Sequence, residues 1–415
     1  MDLSLFQFGT LGLSNSSRPI GISGIRAATR PIRRIGKTNP MEKWTANSRN
    51  LDLLRSFAVI LVVGFHLAKF FNWQSATLRV TDFGLLGVML FFVHTTLVLM
   101  FSLERQSADS RTSLFVPFIV RRCFRIYPLA ILIVTFAFVF HIPSDLQFGR
   151  FNLLHQSAGN ILANLLLIQN VTLQKANPGI LWSLPLELQM YLALPALYII
   201  ASRLKSAWEM IAFWWLAVGL WLATGLFTGM LPLSEGGIRS PAEAFLKFTR
   251  FAPCFLPGLV AFKLWRQPRY LPAIFWPVFL GLCCAAFLWL SGSQPIETGW
   301  FICFTIGLGV SFFREVSENT LTRLTERIAR YSYGIYLLHY FAIWIAFVEC
   351  RKLNIALQIT IFAAVLGSLS VFLYHTVEAP LIALGAKVSR KFKHPSSVFG
   401  ANGHSVDQVA QMVSE

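Results

Sequence analysis

RNLDLLRSFAVILVVGFHLAKF, residues 49–70, opens with the charged side chains Arg49, Asp52 and Arg55, then runs apolar for a helix length with His66 deep inside. About 20 apolar residues are what an α-helix needs to cross a bilayer. An ionisable side chain at such depth costs roughly 2.5 kcal/mol or more when charged, which makes His66 a functional candidate. Arg55 and His66 are separated by ten residues, so they sit about 16 Å apart along one helix. They cannot form one ion pair. Two readings of His66 stay open: a neutral imidazole hydrogen-bonded to a neighbouring helix, and a reacting group.

The rest of the chain repeats the apolar pattern. With 415 residues, 55% hydrophobic and only 13% charged, the composition excludes an ordinary soluble domain. It predicts an all-α polytopic membrane protein, a bundle of about ten transmembrane helices. Hydropathy places the spans at 52–71, 83–102, 126–142, 181–201, 209–231, 245–263, 272–291, 299–313, 331–349 and 354–378. Segment 158–169 is short and holds Asn160, Asn164 and Gln169, and reads as interfacial or re-entrant. The net charge of +17 falls largely in loops between spans, where the positive-inside rule and anionic lipid account for it without nucleic acid. That bias puts both termini in the cytoplasm.

Residues 1–43 form a basic extension, expected to be disordered, that mimics a transit peptide or precedes an alternative start at Met41. Residues 44–386 form the membrane domain, and 387–415 a polar cytoplasmic tail. The six cysteines show no metal-ligand spacing, so they read as small buried residues, and no metal is expected.

Four further stretches carry polar groups into apolar segments. The second span places His94, Thr95 and Thr96 at mid-membrane, with His94 either set against His66 or simply packed. The threonine hydroxyls are expected to bond their own helix carbonyls. In FIVRRCFRIYPL, Arg122 and Arg125 share one face at the start of a helix, with Pro128 where the chain enters the membrane. They read as a positive-inside anchor or as a bidentate phosphate clamp. LWSLPLELQMY puts Ser183, Glu187 and Tyr191 on one stripe beside Trp182. YSYGIYLLHY places Tyr336 and His339 on one face, and HTVEAP carries Glu378, expected near the cytoplasmic end and paired with an arginine.

In this order, the motifs resemble the acyltransferase family 3 membrane proteins, the O-acyltransferases of glycans. The matching residues are Arg55 and His66, the Arg122/Arg125 pair, Trp182-Ser183-Leu184 with Glu187, Tyr191 and Pro195, and Arg250 with FLPGLVAF. Two later blocks match as well: Ser332, Tyr333, Tyr336, Leu337 and His339, then Tyr374, Glu378 and Pro380. Family members commonly have a Ser-Gly pair where this chain has His94-Thr95-Thr96. The resemblance implies transfer of an acyl group, usually acetyl, from acyl-CoA to a hydroxyl of a cell-surface or lipid-linked glycan. His66 and Glu187 would be catalytic, with His66 a base or a transient acyl carrier. Arg55, Arg122 and Arg125 would bind the donor, and Asp52, His94, Trp182, Ser183, Tyr191, Tyr336, His339 and Glu378 would support them. Acetyl-CoA or another acyl-CoA is then a substrate, with no bound cofactor. The bacterial inner membrane is the expected location. Many relatives append an SGNH-type domain; this stand-alone form would act by itself or with a separate periplasmic transferase. A proton-coupled transporter or flippase of a glycolipid or acyl metabolite is the competing class, since buried His, Glu and Arg suit a carrier too.

Overall fold

The computed structural model describes residues 48–73, 80–109, 114–143, 157–228, 243, 245–246, 249–292 and 294–392. The helices are α1 (Arg49–Phe70), α2 (Val80–Asp109), α3 (Phe115–Val139), α4 (Ala158–Leu165), α5 (Leu184–Arg203) and α6 (Ala207–Phe227). Then come α7 (Ala252–Phe255), α8 (Pro257–Leu264), α9 (Phe275–Leu290), α10 (Pro295–Gly309), α11 (Thr320–Ile343), α12 (Ile355–Leu373) and α13 (Ala379–Lys391). A 3₁₀ turn, Gly179–Ser183, leads into α5, and π turns at Trp344–Glu349 and Tyr374–Glu378 follow α11 and α12. Among the described residues there is no strand, only an isolated bridge between Leu271 and Phe313.

Seven stretches of the described chain are long and apolar enough to cross a membrane. The α7–α8 pair, α9 and α10 are shorter and occupy the three remaining expected spans. The chain is an all-α polytopic membrane protein. Phe227, Trp208 and Trp289 stand exposed on its outer surface, as a surface meeting lipid requires. Helix α4 has eight residues, about 12 Å of rise, too short to cross.

Three helix ends run well beyond the apolar spans. Helix α3 starts at Phe115, α11 at Thr320, and the final helical run continues to Lys391. Once nucleated, a helix propagates through polar residues while backbone bonds remain to be made, whereas a hydropathy window registers only the apolar part. Arg122 and Arg125 therefore lie inside α3 and not at its start, and Pro128 is internal to the helix. The helical domain also runs past residue 386. The extension 1–43, the Met41 alternative and the tail beyond 392 lie outside the described residues.

Helix α2 is the most buried of the long stretches, and its neighbours reach it through glycines. A Cβ on Gly87 would lie 2.6 Å from Ala58 O of α1, and one on Gly258 of α8 would lie 2.6 Å from Thr96 Cβ. Such close approach is what small residues permit between membrane helices.

Helix α1 is fixed at its start. Ser48 caps it by accepting from Leu51 N. The fully buried Asn50 donates to Phe313 O (3.4 Å) and Arg314 O (3.1 Å) and accepts from Val316 N (3.1 Å). Glu315 accepts from Ser48 Oγ at 2.8 Å and from Arg269 Nη1 at 2.5 Å, and Trp276 Nε1 donates to Asn50 O at 3.1 Å. This clasp joins α1 to the segment before α11, and α11 then runs beside α1 along its length. Ser56 Oγ donates to Thr325 O at 2.6 Å, and Arg55 Nε to Ser332 Oγ at 2.5 Å.

Candidate functional site

The polar groups inside the bundle gather at two levels. The first is a cavity of about 220 Å³ lined by Arg55, His94, Thr95, Ser102, Arg105, Arg122, Arg125, Glu187, Tyr191 and Tyr333, with Val98, Leu99 and Ile126 as its apolar wall. Helix geometry explains the lining. His94, Val98, Ser102 and Arg105 stand at i, i+4, i+8 and i+11 of α2, one stripe on one face. Arg122 and Arg125 present the matching face of α3, and Glu187 and Tyr191 that of α5.

Charge in this cavity is lopsided: four guanidiniums face one carboxylate. Glu187 accepts from Tyr191 Oη, and Arg55 is held by Ser332. Arg122 lies over the Phe118 ring at 5.7 Å, and its buried Nε has no partner. Among the described residues, Arg55, Arg122 and Arg125 have no carboxylate within ion-pair distance. Like charges close together in a low-dielectric bundle repel, and a polyanion with several acceptor oxygens offsets that repulsion. Both arginines line the cavity, the placement that the clamp reading of the pair requires.

The second level is a histidine pair. The rings of His66 (α1) and His339 (α11) meet edge to face with centroids 4.7 Å apart. His66 Nδ1 donates to Val62 O at 2.9 Å, and His339 Nδ1 donates to Tyr336 O at 2.6 Å. A carbonyl can only accept, so each ring carries a proton on Nδ1. His339 is fully buried and its Nε2 has no partner. Below the pair, Tyr336 Oη bonds Ser183 Oγ at 2.7 Å and donates to Ile180 O at 2.7 Å, tying α11 to the turn before α5.

Several sequence expectations are redistributed. His66 is set against His339 and not against His94, which lines the arginine cavity. Glu187 lies in that cavity bonded to Tyr191. The buried Thr96 Oγ1 bonds no helix carbonyl and is left without a partner. Glu378 is buried in the π turn midway along the last helical run; its Oε1 has no hydrogen-bond partner and it makes no ion pair among the described residues. Asp52 lies in the first turn of α1 outside both centres, and Trp182 packs against Phe251 at 5.6 Å. Ser102 and Arg105 lie at and beyond the end of the apolar span 83–102, and the stripe that starts at His94 is the sequence signal that reaches them. No group of three or more metal-ligating side chains occurs among the described residues.

Comparison with known proteins gives one match. Residues 48–391 fit the family-3 model described as an acyltransferase domain. No curated protein and no solved structure matches the chain. The match covers both polar centres and every described helix, so the chain belongs to acyltransferase family 3.

Proposed function

We propose that this membrane acyltransferase moves an acyl group, acetyl above all, from acyl-CoA to a hydroxyl of a cell-surface or lipid-linked glycan. The observation that carries this reading is the cavity in which four arginines face one carboxylate, suited to the phosphates of a coenzyme A thioester. Arg55, Arg122 and Arg125 hold the donor there. From Arg55 to His66 is about 16 Å along α1, comparable to the reach of a pantetheine arm, which carries the thioester to the histidine pair.

At that pair, His66 acts as general base. Its Nε2 takes the proton of the acceptor hydroxyl while that oxygen attacks the thioester carbonyl. The carbon–sulfur bond breaks as the new ester forms, and the CoA thiolate takes the proton back from the imidazolium. His339 holds the ring edge of His66, and Tyr336 with Ser183 fixes the helix that carries it. The arginine cavity opens toward the cytoplasm of a bacterial inner membrane, the compartment that supplies acyl-CoA, with both chain termini on that side.

The test follows labelled acetyl from acetyl-CoA into lipid and polysaccharide fractions of membranes holding equal amounts of wild type or His66→Ala. Transfer in wild type and a loss of at least about 100-fold in the variant is expected. Transfer that survives the substitution removes His66 as base, and label that never leaves CoA removes the transferase reading of this donor.

A further inference from the structure

Among the described residues three histidines, His66, His94 and His339, lie inside the bundle, and they differ in how Nδ1 is used. In His66 and His339 it is tied to a carbonyl of the same helix. In His94 it is buried and has no partner in the protein, although the residue is 4% exposed and lines the arginine cavity. An unpaired polar nitrogen at such depth costs about 1–3 kcal/mol unless something bonds the ring. The second unpartnered polar atom in the same wall is Arg122 Nε. Two uncommitted groups thus share one cavity with three further guanidiniums.

The size of the space narrows the occupant. About 220 Å³ is less than the roughly 300–1,000 Å³ of pockets that enclose a drug-sized ligand. The cavity takes part of a molecule. Four guanidiniums suit phosphate oxygens and not an acyl chain, which would prefer an apolar wall.

We propose that His94 is a ligand of the donor's diphosphate, binding it together with Arg122 and Arg125, and takes no part in acyl transfer. This rests on the donor reading above and adds a residue and a function to it: the imidazole at the depth of Arg55 recognises phosphate, and the imidazole pair farther along α1 does the chemistry. His94 is then a binding residue whose loss raises the donor's Kd and KM and leaves kcat at saturating donor in place.

The experiment is calorimetry of coenzyme A binding to the full chain in detergent, for wild type, His94→Phe, His94→Gln and His66→Ala. The phenylalanine variant keeps a ring in the cavity wall without its nitrogens, and glutamine restores a donor. Melting curves for each protein report folding. His94→Phe is expected to weaken coenzyme A by roughly 10- to 100-fold, the equivalent of one hydrogen bond to a charged group. His94→Gln is expected to recover part of that loss, and His66→Ala to bind as wild type. Inorganic pyrophosphate should compete with coenzyme A in wild type and weaken in proportion in His94→Phe, while pantetheine should not compete.

Wild-type affinity in a folded His94→Phe protein overturns the assignment and leaves the donor reading standing. Weakened coenzyme A with unchanged pyrophosphate competition overturns the diphosphate contact. Should both His94 variants fail to fold, unchanged pyrophosphate competition in an Arg122→Gln protein overturns the shared site. No binding by wild type removes the donor reading and this inference with it.

Discussion

Replacing Gly258 by alanine tests the contact that shapes the arginine cavity from behind. The added Cβ would fall 2.6 Å from Thr96 Cβ, 2.7 Å from Val93 O and 2.8 Å from Leu97 N. Two of these atoms are backbone and cannot rotate aside. In an open helix the change would stabilise by at most about 1 kcal/mol, through propensity. Overpacking costs about 1–3 kcal/mol, and contact with backbone puts Gly258 at the upper end, so the net loss is about 1–2 kcal/mol. At roughly 2–4 °C per kcal/mol that lowers the melting midpoint by about 2–8 °C. The turn pushed away, Val93–Leu97, carries His94 and Thr95 into the cavity, so coenzyme A affinity should fall with it. The assay is a thermal melt in detergent with and without coenzyme A. Gly219→Ala is the control, because nothing lies within 4 Å of its Cβ position. If Gly258→Ala melts with wild type and binds coenzyme A unchanged, α8 and α2 are not in contact there, and the reasoning fails.

Other perturbations separate the two centres. Arg122→Gln and Arg125→Gln should each raise the KM for acyl-CoA by roughly 10- to 100-fold and make it less sensitive to salt; steady-state kinetics at two ionic strengths checks both. His339→Phe should lower kcat with the donor KM unchanged, because it removes a partner of His66 and nothing from the cavity. Asn50→Ala should lower the melting midpoint, since each carbonyl or amide it deserts among Phe313, Arg314 and Val316 costs about 1–3 kcal/mol if left unsatisfied.

Hydropathy located the helices because burial in lipid depends on apolar length, which is local in sequence. It missed their ends because polar residues such as Arg121 to Arg125 continue a helix as readily as apolar ones once it has begun. Within one helix, spacing was enough to place Glu187 beside Tyr191 and Arg122 beside Arg125. Across helices it was not. Whether His66 meets His94 or His339 depends on the register of α1 against α2 and α11, which glycine contacts and the Asn50 clasp set. Glu378 shows the same gap: its burial follows from α11 packing at Gly334, where a Cβ would lie 3.3 Å from Glu378 Oε1.

The bond from Arg55 to Ser332 spans 277 positions, which at about 5–20 residues per second is roughly 15–55 s of translation. For that interval the first helix of the nascent chain resides in the bilayer carrying a guanidinium and an imidazole that have yet to meet α11. The contact between His66 and His339 therefore forms only late in biosynthesis. A premature stop anywhere ahead of His339 leaves a chain with most of its membrane helices and no second histidine.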